Sequence, residues 1–197
     1  MQVLRVEPTP NPNAIKFVLD AMLGAPSEYR SAEEAASNDL AKELFAMDGI
    51  EALFLSENFV TVTMNASADW HQVHEQARKL IEAHKGEGFE QAASAAPIPV
   101  IREGAQEDAG ENAEILDQIG AVITQRVMPA LNADGGGLQV MGIDEHKVVT
   151  IQYQGACGSC PSSIQGTLGA IENLLRSEVD PDLRVVPQGM AADPMGW

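Results

Sequence analysis

"VTIQYQGACGSCPSSIQGTLGAIENLL", residues 149–175, contains the only two cysteines of the chain, Cys157 and Cys160. The residues before them, in "HKVVTIQYQG", read as a strand. After them Ile164, Leu168, Ile171, Leu174 and Leu175 share one face of a helix. The thiols therefore lie in a loop that leads from strand to helix. Pro161 suits the first helical turn, where its missing N–H costs nothing. Gly155 and Gly158 allow tight bending, and Ala156 and Ser159 add little bulk. At the positive end of a helix dipole thiolate is favoured, the form that binds metal or attacks a disulfide.

Three uses are open for such a pair. Core packing is one, although a glycine-rich loop is a poor place for core cysteines. A thiol–disulfide redox pair of thioredoxin type also precedes a helix. That motif commonly has an aromatic residue ahead of the first cysteine, whereas Gly155 and Ala156 stand here. The third use is a metal site. Iron–sulfur clusters and structural zinc want four thiolates, or thiolates with histidine. His71, His74 and His84 fall in the other half of the chain, and His146 sits at an expected hairpin turn; such histidines are more often solvated than ligating. The simplest completion is a second copy of the loop across a two-fold axis.

The rest of the sequence bounds these readings. The chain has 197 residues, is 45% hydrophobic and carries a formal charge of −17. That is enough to bury a core, and the charge would repel nucleic acid and anionic membranes. No apolar run is long enough to span a bilayer. "MQVLRVEPTPNPN" lacks the layout of a signal peptide, and two cysteines make no disulfide scaffold. Both point to a reducing, cytoplasmic compartment.

Working outward, residues 113–188 form one expected domain. Ile115, Ile119, Val122, Ile123 and Val127 mark a helix with Pro129 near its end. "ADGGG" is a turn, "LQVMGID" and "HKVVTIQYQG" a hairpin, and "LRVVP" a last strand. The order is helix, strand, strand, helix, strand, a small α+β domain. Residues 189–197 read as a mobile tail. Residues 86–112, rich in Gly, Ala, Pro and acidic side chains, read as a linker in which "PIPVI" can dock locally.

Residues 1–85 read as a second α+β domain. "MQVLRVE" and "AIKFVLD" are strands around the turn-rich "PTPNPN". "SNDLAKELFAMDGI" is a helix capped by Ser37 or Asn38, with Gly49 beyond its end. "IEALFLSENFVTVTM" is a hairpin in which Phe59, Thr61 and Thr63 alternate with Val60, Val62 and Met64. "ADWHQVHEQARKLIEAH" is a helix capped by Ser67 or Asp69, with Trp70, Val73, Ala77, Leu80 and Ile81 at helical spacing.

The cysteine run and the upstream "LNADGGG" resemble the NifU-like C-terminal domain of Nfu proteins, which are iron–sulfur cluster scaffolds and carriers. "VEPTPNPNAIKF", "LAKELFAMDGIEALFLSENFVTVT" and the tryptophan of "ADWHQVHEQARKLI" resemble the Nfu N-terminal domain. The resemblance implies a non-enzymatic carrier. Its ligands are Cys157 and Cys160, and its cofactor is a [4Fe–4S] cluster, or [2Fe–2S], shared by a homodimer. Its partners are cluster-assembly donors and recipient apo-proteins, with no nucleic acid and no membrane. Two rival functions accompany it: a thiol–disulfide oxidoreductase and a zinc-binding interaction module.

The sequence departs from the family pattern in two places. Gly137 stands where relatives often carry an acidic residue. Gly166, Thr167, Leu168, Gly169 and Ala170 replace a stretch that often includes a lysine, and two glycines weaken a helix.

Two further motifs have bland readings. "EPTPNPNA" fixes the chain between two strands, with recognition through Asn11 or Asn13 as the alternative. "DGGG" lacks the lysine and spacing of a phosphate loop and reads as a turn.

Overall fold

A computed structural model describes residues 1–84, 100–102, 104–158 and 161–188. The tail at 189–197 and the first half of the linker lie outside them. The chain divides into two units. One is Met1–Pro97 with Asp134–Gly136 and Gly155–Cys160; the other is Ile98–Ala133, Gly137–Gln154 and Pro161–Trp197.

Among the described residues of the first unit, five strands form one sheet: β1 (Val3–Pro8), β2 (Ala14–Leu19), β3 (Gly24–Tyr29), β4 (Ile50–Glu57) and β5 (Phe59–Met64). Their order is β1-β2-β5-β4-β3, and every neighbouring pair is antiparallel. Strand β3, "GAPSEY", was not expected. It has no apolar alternation and contains Pro26, which an edge strand tolerates because one side of its backbone needs no partner. Its pairing with β4 sets Glu28 opposite Phe54.

Helices α1 (Asp39–Phe45) and α2 (Trp70–Ala83) cover one face of this sheet. The Asn38 side-chain oxygen Oδ1 accepts the Ala41 N–H at 2.9 Å, and Asp69 Oδ1 accepts those of His71 and Gln72 at 2.9 and 3.3 Å. Each cap satisfies donors that a helix start leaves without partners. Phe17, Leu19, Leu53, Leu55, Val60 and Val62 bury against Leu40, Leu44, Val73, Ala77 and Ile81. Trp70 is not part of this face. It is 40% exposed and meets His74 edge-on, because the buried stripe of α2 runs through Val73, Ala77 and Ile81.

The second face of this sheet carries polar residues and is buried too: Lys16 is 7% exposed, Thr61 0% and Thr63 3%. A Cβ on Gly135 would touch Thr61, Thr9 and Lys16, so residues 134–136 sit on that polar face.

In the second unit, α3 (Ala105–Asp108) is a single turn and α4 (Ala113–Val122) continues through a π-helical stretch, Ile123–Val127, into α5 (Met128–Ala133). Pro129 therefore lies inside a continuous helical run. Proline has no N–H to bond the preceding turn and its ring crowds the carbonyl there; the wider π turn just before it relieves both conflicts. The buried stripe is Leu116, Ile119, Ile123, Val127 and Leu131, with Ile115 and Val122 only half-buried at its edge.

Strands β6 (Gly136–Ile143), β7 (Val148–Gly155) and β8 (Arg184–Pro187) form a sheet in the order β6-β7-β8. Helix α6 (Pro161–Glu178) connects β7 to β8, which are parallel, with Val149 opposite Val185. Among its described side chains Ile171 and Leu175 are buried, alongside Val140, Val149, Ile151 and Val185 of the strands.

Part of the stretch read as linker belongs to this unit. Ile101 forms a parallel bridge with Val140, and the Arg102 N–H donates to the Val140 carbonyl at 2.7 Å. Arg102 also donates through Nε to the Met141 carbonyl at 3.0 Å and pairs with Asp108. No helix of the described residues is long and apolar enough to cross a membrane.

Candidate metal centre

The cysteine loop leaves β7 at Gly155 and α6 begins at Pro161, so strand, loop and helix follow one another as the residue pattern requires. Gly155 has φ +62°, a left-handed conformation that a Cβ disfavours. There is no room for one either: it would stand 2.7 Å from the Gly135 carbonyl oxygen and 2.8 Å from Phe54 Cδ1. After this residue the Gly158 N–H closes a turn onto the Gly155 carbonyl at 3.1 Å. Cys157 lies within that turn and is 5% exposed. Cys160 lies outside the described residues.

Neighbouring polar groups hold the loop's main chain. The Gly155 N–H donates to Glu28 Oε1 at 3.0 Å, and Asn11 Nδ2 donates to the Ala156 carbonyl at 3.4 Å. The Ala156 N–H donates to the Gly135 carbonyl at 3.2 Å, which also accepts from Thr61 Oγ1 at 2.7 Å. Burial pushes the Glu28 carboxyl above its ordinary range; Arg30, 3.0 Å away, and the Gly155 N–H pull the other way. A cavity of about 240 Å³, lined in part by Glu28, Arg30, Thr63, Gly155 and Gly158, opens beside the loop.

Asn11 also explains its own motif. Its Oδ1 accepts the Asn13 N–H at 2.9 Å, which fixes the turn between β1 and β2. Glu28, Thr61 and the reach of Asn11 to the loop were not read from the sequence. The buried threonines of β5 were the available signal, because an alternating strand places them on a face where water is the usual partner.

The histidines bring no ligands to the loop. His71 and His146 are exposed, and His74 stacks on Phe17 at 5.8 Å. His84 departs from the solvated expectation: its side chain is 9% exposed and lies 3.9 Å from Glu43. Among the described residues no group of three or more His, Cys, Asp or Glu side chains is placed to hold a metal ion. Two soft thiols separated in the sequence by two residues are a donor set that suits iron or zinc once further thiolates complete it.

Comparison with known proteins gives the context. Residues 4–88 match the family described as scaffold protein Nfu/NifU N terminal, and residues 119–186 match the NifU-like domain. A NifU-like protein of Schizosaccharomyces pombe is 27% identical, over 94% of this chain and 72% of its own length. The Drosophila ananassae protein named NFU1 iron-sulfur cluster scaffold homolog, mitochondrial, is 27% identical over 94% of this chain and 63% of its own. NifU-like protein 5, mitochondrial, of Arabidopsis thaliana is 28% identical over 87% and 62%. The chain thus spans less than two thirds of the length of the latter two.

These names overturn the expectation of a cytoplasmic compartment. A low cysteine count does not single out the cytoplasm. With an Nfu/NifU N-terminal domain followed by a NifU-like domain, the chain belongs to the Nfu family of scaffold proteins.

Proposed function

We propose that this protein carries an iron–sulfur cluster on Cys157 and Cys160 and hands it to apo-proteins. The cluster is cargo. One chain offers two thiolates and a [4Fe–4S] core takes four, so two chains share it and dimerise as they load. Release follows by ligand exchange: recipient cysteines compete for iron, and separating the chains halves the ligand set.

The observation that carries this reading is the glycine-hinged cysteine loop at the start of α6, inside the stretch matched to the NifU-like domain. Gly155 supplies the bend, and the N-terminus of an 18-residue helix favours thiolate. The division into two α+β domains around a linker, with residues 113–188 as the cluster-binding part, belongs to the same proposal.

Anaerobic reconstitution with ferrous iron and sulfide tests it. The expected product is brown, with about two irons per chain, the ratio of one [4Fe–4S] core to two chains. Its sedimentation is that of a dimer, whereas the apo form sediments as a monomer. Cys157→Ala and Cys160→Ala each abolish uptake; colour retained in both defeats the assignment. The parallel β7–α6–β8 unit is the feature that favours the thiol–disulfide reading. Reduction of insulin by the iron-free protein with a dithiol donor would support that reading instead.

A further inference from the structure

The polar face of the first unit's sheet grips main-chain groups close to Cys157 from three separate places. Glu28 comes from β3 and takes the Gly155 N–H at 3.0 Å. Asn11 comes from the β1–β2 turn and reaches the Ala156 carbonyl at 3.4 Å. Thr61 comes from β5 and holds the Gly135 carbonyl, to which the Ala156 N–H is itself bonded. Thr61 is 0% and Asn11 5% exposed, so water replaces neither bond without the loop lifting away. Phe54 and the Gly135 backbone fill the space a side chain at Gly155 would need. Under this clasp Cys157 is 5% exposed.

We infer that Glu28 is a positioning residue for the cysteine loop, and that with Asn11 and Thr61 it holds the loop in a closed state in which the Cys157 thiol is shielded. Glu28 acts through the Gly155 N–H; its contact with the loop is a hydrogen bond to the main chain, made where the chain turns left-handed. Opening requires these bonds to break together. A thiol that must meet incoming iron cannot stay shielded, so opening precedes loading. That last step rests on the carrier function proposed above; the clasp does not.

The test reads the thiol without iron. In full-length Cys160→Ser protein, alkylation of Cys157 by iodoacetamide is followed by mass spectrometry. Adding Glu28→Ala is expected to raise the rate about tenfold, because a lost grip of this kind lowers the free energy of local opening. Glu28→Gln keeps an acceptor for the Gly155 N–H and is expected to restore a rate within about twofold of the parent.

An unchanged rate in Glu28→Ala overturns the inference, as does Glu28→Gln reacting as fast as Glu28→Ala. If Glu28→Ala fails to fold, Thr61→Val removes the bond to Gly135 at nearly constant volume, and it too must accelerate alkylation. Faster alkylation in Cys160→Ser protein with Glu28→Ala, together with no iron uptake by the protein that keeps both cysteines, would sustain the clasp and count against the carrier function instead.

Discussion

Cδ1 of Ile101 lies 2.7 Å from the point where a Cβ on Gly120 would stand. The isoleucine thus fills a notch that exists because residue 120 has no side chain. Together with the bridge to Val140, this ties the start of the second unit to α4 and β6. Ile101→Ala is expected to lower stability by about 1–2 kcal/mol, less than the roughly 2–5 kcal/mol of a fully buried isoleucine, because Ile101 is half-buried. Gly120→Ala should also destabilise, and should do so less in the Ile101→Ala background. A double-mutant cycle by urea denaturation measures the coupling; additive effects would contradict the notch.

Gly155→Ala should be more damaging. The left-handed backbone costs about 1–2 kcal/mol for any residue with a Cβ. A contact with a backbone oxygen at 2.7 Å adds to it, because backbone yields less easily than a side-chain tip. The expected result is a loss of at least that much in chemical denaturation, with loss of iron uptake.

Gly166 and Gly169 behave in the opposite way. Both lie in α6, and nothing stands within 4 Å of a Cβ added to either. Replacing each with alanine is expected to raise stability by about 0.5–1 kcal/mol, since glycine loses more backbone freedom in a helix. Thermal unfolding of the single and double variants reads this directly. A fall in midpoint would show that α6 needs a glycine for another reason.

Lys147 and Asp180 give an acid-sensitive contact, Nζ to Oδ2 at 2.7 Å. The hydrogen bond from Lys147, helped by the Asp182 N–H, holds the Asp180 carboxyl below its ordinary range. The same bond to Asp180 raises Lys147. The carboxylate therefore contributes stability above the ordinary aspartate pKa, and that contribution is lost as pH falls through its lowered value. The lysine's contribution disappears only as pH rises through its raised one.

The wild-type midpoint should therefore exceed that of Asp180→Asn at neutral pH. The gap should close as pH falls below the ordinary aspartate range and through the lowered Asp180 value, where the carboxylate becomes protonated. It should also shrink in high salt, because the half-buried pair still borders solvent. A gap independent of pH would show that the ion pair contributes nothing.

Much of the fold was legible because short-range rules decide it. Asn38 and Asp69 cap the helices they precede, β4 and β5 meet in a tight hairpin, and Pro161 opens α6. In each case the residue type and its immediate neighbours determine the conformation. Strand β3 was not legible. "GAPSEY" has no pattern of its own and is a strand because β4 offers it an open edge. The helical run through Pro129 was missed for a related reason. Proline reads locally as a stop, and a π turn with the buried positions Ile123 and Val127 carries the helix past it.

The sequence alone determined the chemistry available here: two thiols at a fixed spacing, a glycine bend and a helix start, all set by residues adjacent in the chain. Only the tertiary structure decided what surrounds that loop. Glu28, Asn11 and Thr61 are 127, 145 and 74 residues from the groups they hold. No periodicity links positions so far apart; they meet because the sheet brings three segments onto one face and leaves Cys157 beneath them.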